Sequence, residues 1–498
     1  MRNSINKNTL KKSLCFTSAL VSATLPLKLL HADNFTFTDI SPAIEKLNTI
    51  PENSWIKLNT NQFQEVWTPS DQIPNPPPEG TVKGDPGRII GAWSSMAWDS
   101  KRGDLIFYGG GHANYTGNDV YRWRASTLQW ERASLPSAIK FTPLDHDPWG
   151  GVFTSVFGVD DAPVSAHTYD NSEYLPTVDR FVTFGGAAYG SGPFRRPDLA
   201  SNSSILSGPY FWDPSKADPN KVGGATGSQV NPAKYPQVVG GNMWQNRDNI
   251  LNSNINGRAL ESMVNGATAY TSEGGKDVLY IQSKNSLFKY TVNDLSDPSQ
   301  DAYELVGTAS DTFSGQGAGA YSPDHNLFLR MAGITKDFNL WLLDEPGENN
   351  KNINFVPQVV GGVFDFQKLG DYGMDYDPVR QRFILWGGDY DVWELLPPSD
   401  VKNNPSEWTL NLLTNENDPI APSLEGLEAS FRGVLGKWKY SKELDAFLGV
   451  VDPVKGDVWA YKPDNWQLAA VPLLPSFLYF LFPTGYMWLI GRNKRHIS

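Results

Sequence analysis

The chain has 498 residues, which is more than a single hydrophobic core usually organises, so internal repeats are the first feature to look for. Aromatic residues make up 12% of the chain and glycines number 45, a composition typical of a folded all-β protein and not of a disordered or coiled one. The formal net charge of −12 argues against nucleic acid as a partner.

Residues 1–32 are organised like a secretory signal peptide. Lys11 and Lys12 supply a positive region, an apolar stretch follows, and small residues lead to a cleavage site that we place after Ala32. A buried first helix is the alternative, but acidic residues are absent from the whole segment. We therefore predict that the chain is exported, with residues 33–50 as an N-terminal lead-in.

The only cysteine, Cys15, lies inside the predicted signal. The mature chain would therefore have no disulfide, no thiolate metal site and no cysteine nucleophile. The six histidines do not follow a metal-ligand spacing, so we expect neither a metal ion nor another cofactor.

A unit of short strands recurs six times between residues 51 and 466. Its first strand contains an aromatic residue and is predicted at 96–99, 167–170, 268–271, 319–322, 374–377 and 438–441. Its second strand is apolar, often closed by glycines, and is predicted at 105–111, 180–186, 278–283, 327–333, 382–388 and 446–452. Its third strand is again aromatic, at 118–123, 208–214, 286–292, 339–344, 391–397 and 457–463. A fourth strand is marked by Trp130, Tyr303 and Trp408.

This order of strands at a spacing of about 50 residues or more resembles the kelch repeat, in which four strands form one blade of a β-propeller. The resemblance covers residues 50–465 and implies an all-β, kelch-like β-propeller with six blades. A seven-bladed ring is the alternative, with the additional blade inside 216–261. Because the last unit leaves little chain for a fourth strand, we expect residues 54–58 to close the ring as the missing strand.

The C-terminal segment, residues 467–498, is predicted to enter the membrane. Residues 468–491 contain no ionisable group except tyrosine and would form a hydrophobic helix long enough to span a bilayer, with basic residues following from Arg492. The basic end should stay cytoplasmic, which leaves the propeller outside. With the sequence VPLLP at 471–475, this order resembles PEP-CTERM sorting signals of the VPLPA type. The resemblance implies processing by an exosortase-like enzyme and association with exopolysaccharide at a bacterial surface; a plain membrane anchor is the alternative.

In an antiparallel blade, the loops between second and third strands emerge on the same face as the segments that lead into each first strand. This face, which we call the loop face, collects the unusual polar residues. The candidate catalytic residues are His112, Tyr115, His167 and Tyr372, and the candidate ligand-binding residues are Arg88, Arg258, Arg432, Asn114, Asp371 and Asp389. Each arginine and histidine has a structural alternative, as a clamp for its own loop or as a packed polar residue.

The sequence leaves two functions open. The first is a surface-anchored or matrix-associated propeller that binds carbohydrate or an envelope partner through its loop face. The second is a carbohydrate-active enzyme, with a polysaccharide lyase as the best fit: a histidine base and a tyrosine acid would act on an acidic polysaccharide whose carboxylate Arg258 and Arg432 hold. Glycoside hydrolysis through Glu261, Asp371 or Asp389 is a further alternative. Galactose oxidase also resembles this kelch array, but its copper chemistry needs a cysteine that the mature chain lacks.

Overall fold

The computed structural model describes residues 38–76, 83–190, 192–225, 230–248, 263–309, 315–345, 352–414, 420–427 and 433–468. The predicted signal peptide, residues 469–498 of the predicted tail, and Arg258, Glu261 and Arg432 lie outside these residues. The described part is an all-β propeller of six blades, each with four antiparallel strands. None of its helices has the length and apolar character needed to cross a membrane.

The first three blades run from the central channel outwards in the order of their strands along the chain. Blade 1 consists of Met96–Asp99, Asp104–Phe107, Tyr121–Arg124 and Gln129–Arg132. Blade 2 consists of Ser172–Leu175, Arg180–Thr183, Tyr210–Trp212 and Trp244–Asn246. Blade 3 consists of Ala267–Glu273, Lys276–Ser283, Ser286–Thr291 and Ala302–Thr308.

The second half of the ring repeats this arrangement. Blade 4 consists of Gly319–Ser322, Leu327–Ala332, Asp337–Leu342 and Asn352–Phe355. Blade 5 consists of Gly373–Asp377, Arg382–Trp386, Val392–Leu396 and Thr409–Leu412, with Gln358–Val360 added in parallel at its outer edge. Blade 6 consists of Trp438–Ser441, Ala446–Val450, Val458–Lys462 and Ser54–Lys57.

Short helices and additional strand pairs lie in the connections. The α-helices are Ser41–Asn48 and Arg88–Gly91, and the 3₁₀ helices are Phe63–Val66, Ser70–Gln72, Pro214–Lys216, Pro298–Gln300, Phe366–Asp371 and Pro405–Glu407. The additional antiparallel pairs are Ile139–Pro143 with Gly151–Ser155, Ala166–His167 with Ala187–Ala188, and Arg195–Asp198 with Ser203–Leu206. A parallel pair joins Lys221–Val222 to Val239–Gly240.

The ring is closed by its N-terminal strand, as predicted. The six innermost strands contact one another in an unbroken circle. Ser54–Lys57 pairs antiparallel with Val458–Lys462 and so provides the outermost strand of blade 6. Trp55 in this strand is 2% exposed and packs against Trp386 and Trp438. Aromatic packing therefore reinforces the backbone hydrogen bonds at the closure.

The prediction of six blades is confirmed. In the described part of residues 216–261, the strand Trp244–Asn246 is the outermost strand of blade 2 and pairs with Tyr210–Trp212. This region therefore completes an existing blade and does not begin a seventh.

The predicted innermost strand of blade 2, at 167–170, was wrong. The strand is Ser172–Leu175, and Tyr174 occupies the aromatic position that the prediction gave to Tyr169. Tyr169 has a φ of 48°, a left-handed conformation that does not continue a strand. Its segment leads into the blade instead of forming part of it.

Candidate functional site

The loop after the second strand of blade 1 is shaped by glycines. Gly109 and Gly110 have φ values of 141° and 81°, and a Cβ on Gly111 would lie 2.3 Å from the backbone of Ser165. Residues with side chains could not follow this path. The turn continues to His112, which has a φ of 61° and is exposed. The tight loop therefore delivers a histidine to the loop face.

His112 lies beside His167, with 5.5 Å between the ring centroids. Nε2 of His167 is 2.7 Å from Oδ1 of Asn114, and because an amide oxygen only accepts, Nε2 carries the proton and Nδ1 keeps its lone pair. Burial, assisted by the neighbouring His112, lowers the pKa of His167 to about 3, so this imidazole is neutral. Three of the predicted site residues therefore meet at one point on the loop face.

Two residues that the sequence analysis did not single out extend this cluster. The ring of Trp93 lies 4.8 Å from that of His167, centroid to centroid. Its Nε1 donates a hydrogen bond of 2.6 Å to Gln316, whose amide group donates to Asp371. The cluster thus connects the segments that lead into blades 1, 2, 4 and 5. The only signal in the sequence is position, because Trp93 and Gln316 each lie three residues before an innermost strand.

Of the other predicted catalytic residues, Tyr115 belongs to the packing beneath the loop. It is fully buried, and its hydroxyl donates to Asp119 over 2.8 Å. Burial, with Asp119 next to it, raises the pKa of Tyr115 well above its usual value. Tyr372 is half-buried on the loop face, and burial, together with the nearby exposed Asp389, raises its pKa. Both phenols are therefore protonated at neutral pH.

Arg88 is available for a ligand. It begins the short helix Arg88–Gly91, and its backbone packs against Gly110 of the glycine loop, where a Cβ would lie 2.8 Å from the Arg88 carbonyl carbon. Its side chain is half-buried, and no group in the described part of the chain forms a hydrogen bond or ion pair with its guanidinium. A guanidinium without such a partner can form a bidentate ion pair with a carboxylate.

Two hairpin insertions, between blades 1 and 2 and within blade 2, build a wall next to His112. Trp149 at the turn of the first hairpin is 52% exposed, and the guanidinium of Arg195 lies 4.2 Å from its ring centre. The Trp149 ring contacts Gly192, and the backbone N–H of Gly190 donates to the carbonyl of His112 over 2.7 Å. The wall is therefore joined to the His112 loop by a backbone hydrogen bond, and it carries an exposed tryptophan.

The loop face presents imidazole, amide, indole, guanidinium and carboxylate groups. Across the described ranges, no three histidine, cysteine, aspartate or glutamate side chains are arranged to hold a metal ion. Such groups bind through directed hydrogen bonds, ring stacking and one ion pair.

The chain was compared with known families, curated proteins and solved structures. No family profile matches it, and no curated protein does. A gluconolactonase from Xanthomonas campestris is 10% identical, with a TM-score of 0.36 over 82% of this chain and 98% of that one. A luciferin-regenerating enzyme is 9% identical, with a TM-score of 0.33 over 77% and 94%. A protein of unknown function from Bacteroides thetaiotaomicron is 11% identical, with a TM-score of 0.25 over 61% of this chain and 57% of that one. With TM-scores below 0.5, these similarities carry no argument about activity.

Proposed function

We propose that this protein is an exported propeller of the kelch type that binds carbohydrate through its loop face. The observation that carries the proposal is the meeting of His112, Asn114, His167 and Trp93 at one point of that face. The exposed Trp149 lies on the adjoining wall. This arrangement is polar, aromatic and built on a rigid ring.

The chemistry of the cluster suits a sugar. Sugar hydroxyls both donate and accept hydrogen bonds, and neutral imidazole and amide groups can match them in either direction. The C–H faces of a sugar ring pack on aromatic side chains, for which Trp149 is exposed. Arg88 would pair with the carboxylate of an acidic sugar unit, so we expect uronate-containing polysaccharides to bind best.

The proposed location is the cell envelope of a bacterium, at the surface or in its matrix. Support comes from the signal peptide predicted at 1–32 and the PEP-CTERM-like sorting segment predicted at 467–498. An exosortase-like enzyme would process the tail. Mass spectrometry of the protein recovered from the producing cells tests this, because we expect a chain that begins at Asp33 and lacks the basic end. A chain that retains residues 1–32 would contradict export.

Binding is favoured over catalysis by the position of Tyr115. A lyase would need an acid next to its histidine base, yet the Tyr115 hydroxyl is fully buried and held by Asp119. Tyr115 therefore does not join the histidines in one pocket, which is the arrangement that would have favoured an enzyme. We accordingly place carbohydrate binding first and the lyase second.

A glycan array on the propeller, residues 33–467, tests the proposal directly. We expect binding to acidic polysaccharides, and we expect the His112→Asn variant to weaken it about tenfold, since asparagine tolerates the positive φ but lacks the imidazole. His325→Asn, on the turn between the first two strands of blade 4, is the matched control and should bind like the wild type. Failure of the folded wild type to bind any glycan would overturn the proposal and point to an envelope protein as the partner.

A further inference from the structure

The end of the central channel opposite the loop face contains a cavity, which we call the turn-face pocket. Its volume is about 370 Å³, within the range of about 300–1,000 Å³ that is usual for small-molecule sites. Its lining includes residues that follow the innermost strands, such as Ser100 and Pro176, whereas the loop face is built from residues that precede them. The two sites are therefore at different ends of the molecule.

Each blade contributes one aromatic side chain to this pocket. They are Trp98, Tyr174, Tyr270, Tyr321, Tyr376 and Tyr440. These are the aromatic positions of the repeat, so the pocket is a direct product of the six-fold architecture. A complete ring of aromatic side chains is the wall that organic cations select in proteins.

The polar ends of five of these six aromatic residues are fixed by neighbouring carboxylates. The hydroxyl of Tyr440 donates to Asp445 over 2.6 Å, and that of Tyr376 donates to Asp324 over 2.7 Å. Nε1 of Trp98 likewise donates to Glu443 over 2.7 Å. Since the hydroxyl and indole N–H groups are occupied, the rings are held in place and contribute π surface to the pocket more than hydrogen-bonding capacity.

At the floor of the pocket, Lys439 is surrounded by carboxylates. Nζ of Lys439 lies 3.0 Å from Glu173 and 3.6 Å from Oδ1 of Asp170, and that oxygen is buried and accepts no hydrogen bond. Arg330, the other cation that interacts with Asp170, donates to backbone carbonyls. Asp375 is a third carboxylate near the Lys439 ammonium group.

Asp375 differs from Glu173 and Asp170, which both form ion pairs with Lys439. It lines the pocket and accepts backbone hydrogen bonds of 2.8 Å from Tyr376 and from Tyr440. Within the described residues, no lysine or arginine forms an ion pair with it. Each of its oxygens keeps a lone pair for a further partner. The two residues that donate to it belong to the six aromatic residues of the pocket.

We propose that the turn-face pocket binds a small organic cation, with the ammonium group between Asp375 and the aromatic ring. The cation pairs with the Asp375 carboxylate, and the rings stabilise it through cation–π attraction. The pocket is open to solvent on the turn face and does not involve the carbohydrate cluster.

Isothermal titration of the purified protein with choline tests this proposal. The matched ligand is 3,3-dimethylbutan-1-ol, in which carbon replaces the charged nitrogen at nearly the same shape. The matched variants are Asp375→Asn and Glu304→Gln, which each remove one negative charge, the second at an exposed position on the outermost strand of blade 3. Thermal melting confirms that both variants are folded.

We expect choline to bind the wild type at one site, and the neutral alcohol to bind at least about tenfold more weakly, which corresponds to about 1.4 kcal/mol. D375N should lose about tenfold in choline affinity, while E304Q should bind like the wild type. Equal binding of the alcohol and choline, equal binding by D375N, or no binding of choline up to about 10 mM would each overturn the proposal. The comparison of the two ligands on the wild type stands even if D375N does not fold.

Discussion

Lys439 on the innermost strand of blade 6 reaches across the channel to Glu173 on the innermost strand of blade 2, with 3.0 Å between Nζ and Oε1. The two residues are 266 positions apart in the sequence, and only the closed ring brings them together. Asp170 and Asp375 lie near the same ammonium group. The channel is therefore held by a buried cluster of charges.

Glu173 should make stability fall as the pH rises. Burial, assisted by the neighbouring carboxylates, raises its pKa from 4.5 to about 7, although Lys439 acts in the opposite direction. Between these values the folded state holds a proton that the unfolded state releases. The contribution of Glu173 is thus complete below pH 4.5 and is lost towards pH 7, an effect of about 1–3 kcal/mol.

Urea denaturation at a series of pH values measures this contribution. The wild type should lose stability between about pH 5 and about pH 7 relative to Glu173→Gln, in which residue 173 has no carboxyl group to titrate. Glu65→Gln, at an exposed position, is the control and should follow the wild type. Parallel pH profiles for the wild type and E173Q would contradict the prediction.

An arginine clamps the turns of blades 5 and 6, and its removal should be costly. Arg380 donates two hydrogen bonds to Asp445, of 2.9 and 2.7 Å, and further bonds to Asp377, with only 8% of its side chain exposed. Arg380→Ala would leave the buried Asp445 without the cation that pairs with it, so we expect a loss of about 3–5 kcal/mol in the free energy of unfolding. Lys57→Ala breaks a pair with Asp457 in which the lysine is 47% exposed, and should cost less than about 1 kcal/mol. Similar losses in urea melts of both variants would refute the distinction.

Trp55 should be the most sensitive residue of the closing strand. Its Nε1 donates to the carbonyl of Tyr390 over 3.1 Å, and its ring packs against Trp386, Trp438 and Tyr461. We expect Trp55→Ala to lower the free energy of unfolding by about 3–5 kcal/mol, because the cavity lies between two blades. Val363→Ala, at a side chain that is 95% exposed, should change it by less than about 0.5 kcal/mol. A melting temperature of W55A equal to that of the control would show that the strand is not needed for closure.

Gly84 should be needed for the position of Asn114. It has a φ of +67°, and a Cβ there would lie 1.8 Å from the Asn114 carbonyl oxygen. Gly274 has a φ of +57° with open space around it, so Gly274→Ala should cost only about 1 kcal/mol. Gly84→Ala must also displace the loop, and we expect it both to cost more and to abolish glycan binding. If G84A still binds glycan, Asn114 is not part of the binding site.

The ring could be predicted because each innermost strand repeats an aromatic residue at the same place, and five of the six were placed correctly. In blade 2, the pattern of residue types does not identify the innermost strand. Tyr169 and Tyr174 both lie in short segments that fit an innermost strand, and the choice depends on which one pairs with Arg180–Thr183. Pairing register is a property of the folded sheet, which the order of residue types does not contain.

The site could be predicted only as far as residue type was informative. His112, Asn114 and His167 stand out because histidine is rare in this chain and the glycine loop is unusual. Trp93 and Gln316 do not stand out, and they meet across 223 positions because blades 1 and 4 face the same channel. Tyr115 was predicted as a general acid because it lies in the same loop as His112. Its hydroxyl is instead held in the core by Asp119, a buried aspartate four residues later.

The closure also determines how the ring would respond to a mechanical load. Ser54 stands opposite Lys462, so both ends of the closing pair of strands lie at the same edge of blade 6. A pull on the two chain ends would break the residue pairs one after another, each hydrogen bond contributing only about 1 kcal/mol. Blade 6 would unzip at low force before the other five blades, because among the described residues it is the blade that joins an N-terminal strand to C-terminal ones.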